Sequence, residues 1–209
     1  RLNDISKRSF SELTLTRDSS WNGRVIVKTN LNCRGSGEKR LLGRVSDRDP
    51  LRHLPVWLSV RIRHRIQRAR SPFREYVVFD SIDRVPPRIW KDDAFVVERF
   101  VAERDGDDYI LRRCNVLGDV TVNHVFRSRV PVAHGPTMFD PRRVDPPEEL
   151  LSIRDAIGLD FGRLDYSIVD GRVVLDDIKS TPSARPSPRL IGIATELAAG
   201  LRRFRPSGG

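Results

Sequence analysis

Short apolar runs separated by polar turns recur along this chain, and their spacing predicts strands more often than helices. Arg24-Val25-Ile26-Val27-Lys28 is an apolar, β-branched run entered from Trp21-Asn22-Gly23. Ala94 to Val101 forms a second run, apolar until it meets Glu98. After the Asp-rich turn Asp105-Gly106-Asp107-Asp108, the residues from Tyr109 to Val116 predict another strand, which reverses at Gly118-Asp119 into Val120-Thr121-Val122. Leu164 to Val169 and Arg172 to Asp177 flank Val169-Asp170-Gly171, and Asp-Gly is a reversal that short hairpins prefer. Helical patterns are fewer. Pro146-Pro147-Glu148-Glu149 opens one that runs to Ile157 and stops at Gly158. Pro188 opens the last, Leu190 to Phe204, with apolar residues at Leu190, Ile191, Ile193, Ala194, Leu197 and Leu201. Val56 to Arg70 predicts an arginine-loaded helix whose Trp57, Val60, Ile62 and Ile66 do not share one face.

The hairpin carries the candidate chemistry. Asp165 and Asp177 lie 12 residues apart, and folding back at the Asp-Gly turn brings them near each other across the two strands. Two carboxylates that close are costly unless a cation or a proton neutralises them, and a hard ion such as Mg²⁺ is the natural neutraliser. From spacing alone they can equally be solvated residues at strand ends.

At 209 residues the chain can bury a real core, as one domain of two lobes or a single large one. A hydrophobic content of 38% with 32% charged residues suits a polar-surfaced protein, and no apolar run approaches the roughly 20 residues of a membrane span. The chain starts at Arg1 without a signal-peptide succession, which leads to the expectation of a fragment of a longer cytoplasmic protein. Cys33 and Cys114 have no metal-ligand spacing and read as reduced structural thiols, and the four histidines are scattered. The formal net charge of +10 comes almost wholly from arginine. Such a surface suits a nucleic-acid binder, with 56–70 the first place to look, but an arginine-for-lysine habit of composition explains it too.

Lysine is therefore rare here, and Lys28 at the end of an apolar strand stands out. A strand ending in Lys, followed by the Gly-containing loop Thr29 to Gly37, is a workable phosphate site; the plain alternative is a solvent-facing lysine. Lys28 with that loop, Glu98 in Val96-Val97-Glu98-Arg99-Phe100, and the hairpin leading into Asp177-Ile178-Lys179-Ser180-Thr181-Pro182 occur in the same order as in one known family. Together they resemble the ATP-grasp superfamily, which includes D-alanine:D-alanine ligases, glutathione synthetases and ribosomal-protein glutamate ligases. The last motif there reads acid, apolar, Asn, two variable residues, Pro, so Lys179 stands where the family has an Asn metal ligand.

The resemblance runs from about Lys7 to Pro182 and implies an α+β fold of two subdomains whose antiparallel sheets grip ATP. Residues 1–95 would form the N-terminal subdomain with the phosphate-binding strand and loop, 96–205 the C-terminal subdomain with the hinge and metal hairpin, and 206–209 a tail. An N-terminal domain found in complete enzymes would be missing. The implied cofactors are ATP and Mg²⁺. Lys7 and Lys28 would meet the phosphates and Glu98 the adenine amino group, with backbone contacts from Arg99, Phe100 and Val101. Asp108 would hold the ribose, with Glu103 as a rival. Arg112 would face the transferred phosphate or acyl intermediate, and Asp165 and Asp177 would hold Mg²⁺. Lys179 either shares the phosphates with a single Mg²⁺ as a fixed charge, or marks a scaffold that has lost turnover. The implied activity is ligation of a small-molecule or peptide carboxylate to an amine or thiol, through an acyl phosphate.

Overall fold

The computed structural model describes residues 6–31, 76–133, 135–180 and 187–204. The chain divides into two compact units, Leu13–Phe100, and Arg1–Glu12 together with Val101–Gly209. Helices and antiparallel sheets make up both, an α+β fold. The predicted helix over 56–70, most of the loop after Lys28 (residues 32–37), and Thr181 and Pro182 lie outside the described residues.

In the unit Leu13–Phe100, β1 (Val25–Thr29) lies between β2 (Val77–Phe79) and β3 (Phe95–Arg99), antiparallel to both. Alternation sends Val25, Val27, Phe95 and Val97 to one face, where they pack with Ile82, Val85 and Ile89. Trp21 and Trp90 close the margin of that core. Ile26, Lys28, Val96 and Glu98 share the opposite face by the same alternation.

The second unit is built on a six-stranded sheet. Its strands are β4 (Glu103–Asp105), β5 (Asp108–Leu117), β6 (Val120–Ser128), β7 (Met138–Arg143), β8 (Phe161–Val169) and β9 (Arg172–Lys179). Their order is β7-β6-β5-β8-β9. Since β6 runs along the whole of one edge of β5, β4 and β8 must share the other, end to end. The helical turn α1 (Lys7–Phe10) lends Phe10 to the core of this unit. That core gathers Cys114, Val116, Leu164, Tyr166 and Ile178 from the sheet with Leu150 of α2 (Glu148–Ile157). Gly158, at φ 67, stops α2 in the left-handed conformation expected of such a glycine.

α3 (Pro188–Leu197) starts with Ser187 accepting from the Leu190 N–H. It gives way to a 3₁₀ segment, Ala198–Phe204, so the helix predicted to reach Phe204 is α-helical only as far as Leu197. Gly200 packs so closely on the Leu117 carbonyl that a Cβ would collide with it, and tightening of the chain accompanies that approach. The hydrophobic pattern also missed β7, a strand with Pro141 in its middle and exposed at most positions, as an edge strand tolerates.

Candidate functional site

The β8–β9 hairpin turns on two residues, Asp170 (φ 52) and Gly171 (φ 76), both left-handed as the preferred tight hairpin turn requires. Running that register back from the turn would set Asp165 opposite Asp176. A bulge beside Tyr166 adds one residue to β9, and Asp165 faces Asp177 instead. Asp176 accepts from the Ser167 hydroxyl at 2.8 Å. Gly162, the second residue of β8, lies so near the Lys179 carbonyl that a Cβ would clash, which lets the end of β9 close on the sheet.

Four basic groups surround the two acids. Lys7, 1% exposed, places Nζ 2.8 Å from Asp177 Oδ1. Lys179 Nζ stands between the carboxylates, 3.2 Å from Asp177 Oδ2 and 3.7 Å from Asp165 Oδ2. Arg113, across from Asp165 on β5, donates from Nε to Oδ1 at 2.8 Å and from Nη2 to Oδ2 at 3.4 Å. Arg163 lies two residues before Asp165, hence on the same face, and donates from Nη2 to Oδ2 at 3.2 Å. Burial pushes the Asp165 carboxyl up, but Arg113 and then Arg163 outweigh it and hold the group below the usual carboxylate range. Burial pulls the Arg163 guanidinium below its ordinary value, against the attraction of Asp165.

This donor set fits a resident Mg²⁺ poorly. Mg²⁺ needs about six oxygens at roughly 2.1 Å. Here every carboxylate oxygen of Asp165 and Asp177 already faces a cationic nitrogen. Among the described residues no cluster of three or more His, Cys, Asp or Glu side chains is placed to hold a metal.

In the other unit, Lys28 (5% exposed) and Glu98 (1% exposed) sit diagonally on adjacent strands, with Lys28 Nζ 2.9 Å from Glu98 Oε2. The backbone after Glu98 is engaged: Arg99 donates its N–H to Leu13 and Phe100 to Arg24, whose guanidinium covers the Phe100 ring. Val101 begins the second unit.

The remaining candidates lie elsewhere on the second unit. Arg112 alternates with Arg113 and so points to the other face of β5. There Glu103 accepts from its Nε and Nη2, at 2.9 and 2.6 Å, and from the Ile168 N–H at 2.7 Å. Glu103 thus ties β4 to β8 where both border β5, and its hydrogen bonds raise the affinity of Arg112 for its proton. Asp108 is bound by Arg127 and Arg129 at 3.0 Å each. Arg127 also reaches Asp105 and Asp140, making a charged clasp over the β4–β5 turn. The structure therefore brings Lys7, Asp165, Asp177 and Lys179 together with Arg113 and Arg163. It does not bring Arg112, Glu103 or Asp108 to them. Strand alternation could have found Arg163, as the i−2 neighbour of Asp165; finding Arg113 required the β5–β8 register.

No protein-family model matches this sequence, and no curated protein does. Among solved structures, D-alanine–D-alanine ligase from Bacillus anthracis complexed with ATP aligns over 93% of this chain, at 14% identity and a TM-score of 0.39. The chain spans 57% of the length of that ligase. Among the described residues no helix is long and apolar enough to cross a membrane.

Proposed function

We propose that this chain is the nucleotide-handling part of an ATP-dependent ligase of the ATP-grasp type, joining a small-molecule or peptide carboxylate to an amine or thiol. The observation that carries the reading is the Asp165–Asp177 pair on a tight hairpin with Lys7, Lys179, Arg113 and Arg163 around it. It supports phosphoryl chemistry because transfer of a γ-phosphoryl group is mostly positioning and charge stabilisation by fixed cations. In the proposed reaction a carboxylate oxygen attacks the γ-phosphorus, and ADP leaves with the electron pair of the broken P–O bond. The amine or thiol then takes the acyl carbon as phosphate departs. The residues offered for the nucleotide are Lys28 and Glu98, and those for the transferred charge are Lys179, Arg113 and Arg163. No step is assigned to Mg²⁺ at Asp165 and Asp177, whose oxygens are already engaged by cations.

Thermal unfolding with and without ATP, in the presence of Mg²⁺, tests this. A nucleotide at about 100 times its Kd should stabilise the folded chain by roughly 2.7 kcal/mol. Absence of any shift with millimolar nucleoside triphosphates would sink the reading. A second reading, a ligase-derived scaffold without turnover, is favoured by one observation: Glu98, Glu103, Asp108, Asp165 and Asp177 are all held in ion pairs within the chain. Binding of RNA that weakens steeply with salt, with no response to ATP, would support a basic binding protein instead.

A further inference from the structure

We propose that the Lys179 ammonium is a built-in cation that takes the place of a divalent ion between Asp165 and Asp177, so that phosphate groups are bound here without a metal. The claim deepens the nucleotide reading and rests on it for the identity of the anion, but its first half concerns the acid pair alone.

Four observations converge on it. Lys179 Nζ sits between one oxygen of each carboxylate, at 3.2 and 3.7 Å, the bridging place that a neutralising ion would occupy. The other oxygens are not available either: Asp177 Oδ1 faces Lys7, and Asp165 Oδ1 faces Arg113 and Arg163. A divalent ion would have to strip these contacts and approach four positive groups, each repelling it in a buried setting where charges are poorly screened. Lys179 is also held where it is by more than its flexible stem. Its backbone closes on Gly162, where no side chain could fit, and the β9 bulge brings Asp177 into line with Asp165 beneath it. With 31% of its side chain exposed, Lys179 is the most accessible of the four cations. Lys7, Arg113 and Arg163 are less exposed, so Lys179 is the one best placed to meet an incoming anion. An ammonium offers three donors to phosphate oxygens, so the same group can satisfy the acid pair and a phosphate.

Two measurements on this chain decide the matter. The first is Mn²⁺ binding, followed by electron paramagnetic resonance with the metal alone. Wild type should show no site of this kind. Lys179→Asn, which removes the ammonium and supplies a carbonyl oxygen, should bind Mn²⁺ at least about tenfold more tightly. That gain should vanish in Asp177→Asn/Lys179→Asn. Tight Mn²⁺ binding by wild type that Asp177→Asn abolishes would overturn the proposal, and this outcome needs no variant of Lys179 to fold. A Lys179→Asn chain that folds and still ignores Mn²⁺ would overturn it too. The second measurement is the stabilisation by ATP in excess EDTA against that in Mg²⁺. Equal stabilisation supports the proposal, whereas a shift seen only with Mg²⁺ overturns it and leaves the nucleotide reading standing. No shift in either condition defeats the nucleotide reading, while the Mn²⁺ result still judges the acid pair.

Discussion

Lys28, next to last in β1, and Lys179, last in β9, both lie beside buried carboxylates, yet their surroundings differ in kind. Glu98 meets Lys28 on a three-stranded sheet, both nearly sealed from solvent. Asp165 and Asp177 meet Lys7, Lys179, Arg113 and Arg163, and Lys179 keeps about a third of its side chain in solvent, at 31%. In the first site Glu98 pairs with Lys28, so losing the lysine leaves a desolvated carboxylate. In the second, among the described residues, four cations meet two acids, so these pairs leave an excess of positive charge. The first arrangement fixes Lys28 and Glu98 against each other, while the second leaves positive charge to spend on an anion. A lysine on a strand is therefore not one kind of feature, and the ratio of cations to acids around it distinguishes the two.

The largest effect should come from breaking the Lys28–Glu98 pair. Lys28→Met should destabilise the unit Leu13–Phe100 by about 3–5 kcal/mol, because it strands the Glu98 carboxylate in a site 1% exposed. Lys28→Met/Glu98→Leu should recover most of that loss, since an apolar pair of similar volume avoids the desolvation cost. Trp21 and Trp90 pack against the core of this unit, so tryptophan fluorescence in urea reports on it. A single-mutant loss below about 1 kcal/mol, the range of exposed pairs, would show that the two sites do not differ in the way argued.

How far the sequence foretold these two sites follows from the range of the interactions involved. The apolar runs and the Asp-Gly turn are local signals, and they led to β1, β3 and the β8–β9 hairpin. Lys28 stood out because lysine is rare in the chain and this one closes an apolar run, and Glu98 because of the family resemblance of the run that carries it. The hairpin brought Asp165 to Asp177, but only through a bulge that no turn rule supplies; a strict register would have paired Asp165 with Asp176. Arg112, on the strand after the Asp-rich turn, was singled out by the family resemblance. Its neighbour Arg113 is the one that meets Asp165, because one step along β5 reverses the face. Knowing which residue of β5 shares a face with Asp165 requires pairing between residues 52 apart, which single-strand patterns do not carry. The ion pairs of Glu103 and Asp108 were hidden for the same reason, each depending on a partner supplied by another strand.

Acid should separate the surplus site from the rest of the molecule. Burial pushes the Asp165 carboxyl up, Arg113 and Arg163 pull it further down, and its folded pKa lies below the usual range. An unfolded Asp takes up its proton near about pH 3.9. The stabilisation from this group is thus complete above that pH and is lost as the pH falls through the lower folded value, with a slope of at most about 1.4 kcal/mol per pH unit. Urea unfolding of wild type and Asp165→Asn between about pH 5 and about pH 3 checks this, with a shallower acid limb expected in the variant. Equal limbs would mean that Asp165 titrates alike in both states and that the surrounding arginines do not act on it.

The smallest effect should come from Lys179→Met, and its smallness is the sharpest statement about the cluster. Removing Lys179 takes away contacts at 3.2 and 3.7 Å, but Asp177 keeps Lys7 and Asp165 keeps Arg113 and Arg163. Neither acid is stranded, so the cost seen for a broken buried pair does not arise. The repulsion between the two acids grows, but each remains paired to a cation at no more than 2.8 Å. Met also preserves most of the aliphatic stem that packs along the strand end. The expected loss is below about 1 kcal/mol, the magnitude of partly exposed ion pairs, as measured by urea unfolding followed by circular dichroism. A loss approaching that of Lys28→Met would mean that Lys179 is needed to hold the acids in place, leaving no surplus charge for an incoming phosphate.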